Sequence, residues 1–205
     1  MTNPVLTSTI HRLDEIVARL EDVFDSKGFK IRTERDDICF RYLILIFEHH
    51  RGILLLAANC RPPAFSLMRP LTEAFLRLHV VMHGTEPQLE SIKNDTYSTE
   101  FATVGDLIDR VNEFQPLFGP LFNDIKEALH GFTHVGKAQL VRMANGSDLG
   151  PNYPDDEVLD LIKYVTLIAV IAGKSASNFL DWPEAIETSQ ALFDEYLANV
   201  TNLSP

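Results

Sequence analysis

Apolar positions recur with a helical period along almost the whole chain. Ile10, Leu13, Ile16, Val17, Leu20, Val23 and Phe24 are spaced by threes and fours, which lines one helix face and predicts a first helix over about 7–25. Ser26-Lys27-Gly28 ends it, and Asp36-Asp37 opens a second helix with acids in its first turn. That second helix runs to about Cys60, is apolar over most of its surface, and is broken by Arg61-Pro62-Pro63. A third is expected from near Pro63 to His83-Gly84, kinked or turned at Pro70. Short helices follow at about 87–94 and 104–114. Leu121–Met143 then reads as one helix, bent at Gly131 or Gly136, and Asn145–Tyr153 as a loop between helices. Pro154 with Asp155-Asp156-Glu157 starts a helix to about Leu180. Its Ala169, Ala172, Gly173 and Ala176 permit close helix contact. A last helix covers about 183–200.

Period-2 strands, repeats, low-complexity segments and linkers do not stand out from this pattern. The expectation is an all-α fold: one domain over 1–205, a bundle of four to five long helices plus short helices.

Composition sharpens the picture without naming a function. The 205 residues include 45% hydrophobic side chains, enough for a full core, and the net charge is -11. So acidic a chain lacks the basic footprint of a general nucleic-acid binder. No apolar run reaches the roughly 18 residues of a membrane span, and the N-terminal residues carry no secretory pattern. A cytoplasmic location with no membrane partner is expected. Cys39 and Cys60 lack CxxC spacing and read as two buried free thiols.

The stretch Glu127-Ala-Leu-His130-Gly-Phe-Thr133-His134 places a carboxylate and two histidines on successive helical turns. About 0.24 histidine pairs at this spacing are expected by chance, and the chain has two, His130/His134 and His79/His83. A mononuclear metal site on His130 and His134 needs a third ligand, for which His49 or His50 on helix two is the candidate. His49, His130 and His134 would then resemble the DinB-type metal bundles. The di-iron alternative lacks a second Glu-x-x-His. No cofactor is expected on this count.

A second constellation is Arg69, Glu73 and Arg77, spaced i, i+4, i+8 on an otherwise apolar helix. Charges in such surroundings are costly unless paired, and guanidinium pairs well with carboxylate or with an anionic ligand. They are read either as a structural ion pair or as part of a binding site. Arg77 and His83 also fit the Arg-x(4–6)-His spacing of HEPN ribonucleases, a match for which about one chance occurrence is expected.

Three blocks in order, Arg69-Pro-Leu-Thr-Glu73-Ala-Phe75, Phe132-Thr133-His134-Val-Gly136 and Leu149-Gly-Pro-Asn-Tyr153, resemble a bacterial all-helical family that has no assigned activity. In that family a glycine stands where this chain has Val135. The resemblance spans about 36–180 and reaches HEPN-like and abortive-infection proteins only at the level of fold. The family has no activity to carry over; the co-occurrence of the blocks in this chain leads to the expectation of one polar pocket of Arg69, Glu73, Arg77, Thr133 and His134, taking a small anionic ligand. The role expected is a binding or accessory protein, defence- or stress-related, with HEPN-like ribonuclease or DinB-like metal enzyme as alternatives. Surplus apolar surface on the helices suggests a homodimer.

Overall fold

A computed structural model describes residues 3–25, 30–94, 103–116, 118–123, 129–130, 141–145, 148–149 and 151–201. The fold is all-α. The helices are α1 Pro4–Asp25, α2 Glu34–Asn59, α3 Arg61–Ser66, α4 Met68–His83, α5 Glu86–Lys93, α6 Val104–Phe114, α7 Phe118–Asn123, α8 Asp155–Phe179 and α9 Pro183–Thr201. Helix α8 is the hub and packs against α1, α2, α4 and α9.

The periodicity of the first helix is realised as expected. Leu13, Ile16, Val17, Leu20 and Phe24 are buried, and Trp182 meets Phe24 edge-on at 5.7 Å. The helix starts earlier than the pattern suggests, at Pro4, because proline suits a first turn whose N–H groups have no partner within the helix. Helix α2 is opened by a capping box. The Asp36 N–H donates to Thr33 Oγ1 at 3.1 Å, and the Asp36 carboxylate accepts from the Thr33 and Arg32 N–H groups. Burial alone would raise the Asp36 pKa, but these bonds hold it below its ordinary value.

The expected single third helix is two helices, and the break falls at Leu67 rather than at Pro70. A proline ring clashes with the carbonyl four residues back, here that of Ser66, so one helix cannot run through both. Restarting at Met68 puts Pro70 in the first turn of α4, where a missing N–H costs little. The Leu67 N–H reaches back to Pro63 and Ala64 carbonyls at 3.2 Å and closes α3.

The small-residue stripe of α8 does what its composition implies. Ala169, Ala172, Gly173 and Ala176 are all buried. A Cβ on Gly173 would lie 2.5 Å from Leu20 Cδ2, so this glycine sets how closely α1 approaches α8.

Three further expectations need adjustment. The helix expected from Leu121 begins at Phe118, and of its later residues 124–128 and 131–140 lie outside the described residues. The segment expected as loop holds a two-residue antiparallel ladder, Ala144 with Leu149 and Asn145 with Asp148. Cys39 is buried as expected, but Cys60 is exposed, because it is the residue on which α2 ends and α3 begins.

Candidate functional site

Helix α4 carries the charged constellation. Arg69 Nε donates to Glu73 Oε1 at 2.7 Å, and the two side chains keep 22% and 27% of their exposure. Arg77 follows one turn later and is also partly buried. The strip thus runs along the margin of the core, while Leu71, Ala74, Phe75, Leu76 and Leu78 fill the interior. Thr72 turns inward from the same turn. Its hydroxyl donates to the Met68 carbonyl at 2.8 Å, which leaves it to accept from the Tyr164 hydroxyl of α8 at 2.9 Å. Burial raises the Tyr164 pKa, so the phenol stays protonated and able to donate.

Thr133 and His134, the other expected members of the pocket, lie outside the described residues, as does Glu127. His130 is exposed. His49 is partly buried, and burial lowers its pKa. Its neighbour His50 is the histidine of α2 that enters the core. His50 is 1% exposed, with Nε2 at 3.0 Å from Thr166 Oγ1 of α8. Burial, with a smaller contribution from Arg51, pushes its pKa down to about 3. Among the described residues, no group of three or more His, Cys, Asp or Glu could hold a metal ion.

The other histidine pair was read from sequence only as a spacing. His79 is 1% exposed and lies against the rings of Phe75 at 4.6 Å, Phe118 at 4.9 Å and His83 at 6.0 Å. Neither of its ring nitrogens has a hydrogen-bond partner among the described residues. Burial, with the neighbouring His83, pushes its pKa down to about 3. Its position between Phe75 and Leu76 in the apolar arc of α4 was the available signal. His83, by contrast, is exposed at the end of α4. Arg77 and His83 are six residues apart, about 120° around the helix after whole turns, so the pair does not share a face.

The Pro-Asn-Tyr block has a structural task that the sequence did not disclose. Arg61, at the start of α3, donates to the Tyr153 carbonyl and pairs with Asp155, which also accepts from Asn3 at 3.0 Å. Arg142 pairs with Glu157 and lies over the rings of Tyr153 and Phe65, at 5.2 and 5.9 Å. The Asn152 N–H donates to the Arg142 carbonyl at 2.6 Å. Two guanidiniums thereby fasten the segment leading into α8 onto α3. The acids that start α8 were legible; their partners, far away in sequence, were not.

Fold and site together define an all-helical bundle with a charged strip along one core helix and no helix, among the described residues, long and apolar enough to cross a membrane. The chain belongs to a family of unknown function (DUF6988), which matches residues 43–201. That agrees with the expectation of a family without an assigned activity. No curated protein and no solved structure matches the chain.

Proposed function

We propose that the protein is a binding protein whose site is the Arg69–Glu73–Arg77 strip of α4, and that its ligand is a small anion. Thr133 and His134 join this site on the strength of the sequence blocks. The observation that carries the reading is the half-buried Arg69–Glu73 pair on a helix whose neighbouring side chains are core. Two guanidiniums share the strip with one carboxylate, in a chain whose net charge is -11. Guanidinium groups at the margin of the core suit an anion because their planar forks bind its oxygens in pairs. Partial burial strengthens each charge–charge contact relative to open solvent. As an ion pair alone, Arg69–Glu73 would stabilise the fold by only about 0–1 kcal/mol.

The test is a thermal-shift panel of small anions: inorganic phosphate, sulfate, a nucleoside monophosphate and a dicarboxylate. A ligand that binds only the folded state raises Tm as its concentration exceeds Kd. At least one anion should raise the wild-type Tm, and Arg69→Gln should abolish the rise. Lys93→Gln, which removes a surface cation on α5, should leave it intact. A panel with no shift, or a shift that Arg69→Gln leaves unchanged, overturns the proposal.

A further inference from the structure

The face of α2 that points away from the core carries a pattern whose large apolar members, Ile44 and Leu55, stay exposed. Asp37, Arg41, Ile44, Glu48, Arg51, Leu55 and Ala58 are spaced 4, 3, 4, 3, 4, 3, the period that keeps one seam of a helix against a partner helix. The core-facing residues of α2 are a separate set: Cys39, Leu43, Ile46, Phe47, His50, Ile53, Leu54 and Ala57. Within the outward seam Ile44 is 45% exposed and Leu55 65%, and Leu45 beside them is 42%. These are three of the eight exposed large apolar side chains among the described residues. Arg51 pairs with Glu48 at 2.7 Å and with Glu21 of α1, so the charges at the middle of the seam are held in place.

The seam is self-complementary in one register. Ile44 and Leu55 are placed symmetrically about the point between His49 and His50, and so are Glu48 and Arg51. An antiparallel second copy of α2, turned about a two-fold axis at that point, sets Ile44 against Leu55 and Glu48 against Arg51 of the other chain. The central charges then alternate in sign around the axis, and an apolar pair lies on each side of them. A two-fold axis makes every such contact occur twice, which is how a single surface patch closes on itself. Shifting the midpoint to Glu48 instead brings Glu48 against Glu48. Polar residues within a seam of this kind fix its register.

We infer that the protein forms a homodimer through α2, antiparallel, with the two-fold axis between His49 and His50. The inference is independent of the anion site, which lies on α4.

The experiment combines light scattering with directed cross-linking. Wild type should elute with twice the 23.1 kDa chain mass. Leu55→Glu and Ile44→Glu should each shift it to one chain mass with an unchanged far-UV spectrum. For cross-linking, Cys60 is first replaced by serine. In that background the Ile44→Cys, Leu55→Cys double variant should form a covalent dimer on oxidation. The single variants should not, because residue 44 of one chain is about 16 Å along the axis from residue 44 of the other, beyond disulfide reach. A monomeric wild type, a dimer that survives both glutamate substitutions, or equal cross-linking by a single cysteine variant would each overturn the register and the interface.

Discussion

Replacing Gly173 with alanine tests the packing of α1 on α8 with a predicted reversal of sign. The added methyl carbon would sit 2.5 Å from Leu20 Cδ2, 3.0 Å from Cγ and 3.1 Å from Cδ1. Comfortable carbon–carbon separation is about 3.5–4.0 Å, so one partner must move by about 1 Å. Leu20 is 0% exposed and cannot swing into solvent. Overpacking of this kind costs about 1–3 kcal/mol. Against it stands the helix propensity of alanine over glycine, about 1 kcal/mol in favour. The near-2.5 Å contact with an enclosed side chain puts the cost at the upper end of that range, so the clash wins and Gly173→Ala should destabilise by up to about 2 kcal/mol, the upper overpacking cost less the propensity gain. Leu20→Ala removes the obstructing atoms and should itself cost about 2–5 kcal/mol. In that background Gly173→Ala should become stabilising by up to about 1 kcal/mol, since only propensity remains. Urea unfolding of the four proteins, read by far-UV circular dichroism, gives the cycle. If Gly173→Ala has the same sign in both backgrounds, the claim that this glycine sets the α1–α8 distance is refuted.

The buried histidines give two further predictions. His50 is neutral when folded, with its pKa depressed to about 3 from the ordinary 6.5. The unfolded chain therefore binds more protons between those values, and stability must fall as pH drops from about 6.5, by up to about 1.4 kcal/mol per pH unit for each such histidine. Unfolding free energies at pH 7 and pH 5 should differ in that direction, and a His50→Gln variant should show a shallower slope. Thr166→Val removes the hydroxyl at 3.0 Å from His50 Nε2 and should cost about 1–3 kcal/mol by leaving a buried nitrogen unpaired; an unchanged urea midpoint would contradict this. His79→Phe is expected to go the other way, raising stability by about 1 kcal/mol or more, because a ring of similar shape replaces one whose nitrogens have no hydrogen-bond partner among the described residues. A loss of stability in His79→Phe would show that those nitrogens are satisfied.

How much of this was legible in the sequence depended on range. Local periodicity located α1, α2, α6, α8 and α9 because spacing of apolar residues reports directly on which face is buried. Composition within α8 anticipated the close contact at Gly173. The break at Leu67 needed one step more, namely that a proline constrains the residue four positions earlier as well as its own. Which of His49 and His50 enters the core turns on a 100° rotation of α2, and an apolar pattern wrapping most of that helix does not fix it. The clasp of Arg61 with Tyr153 and Asp155 joins residues far apart in sequence, and no short motif encodes such a pairing. At the site itself, Arg69 and Glu73 were predicted as a pair from their spacing and are found at 2.7 Å. Thr133 and His134 rest on the co-occurrence of the sequence blocks.

The central claim is that the α4 strip binds a small anion, and calorimetric titration is its most direct test. Inorganic phosphate, and any anion that raises Tm, should be titrated into wild type, Arg69→Gln and His134→Ala at low salt. Binding near one equivalent per chain, weakened at least tenfold by Arg69→Gln and measurably by His134→Ala, is the predicted result. Titrations in which Arg69→Gln binds as tightly as wild type would contradict the account and leave Arg69–Glu73 as an ion pair of the fold.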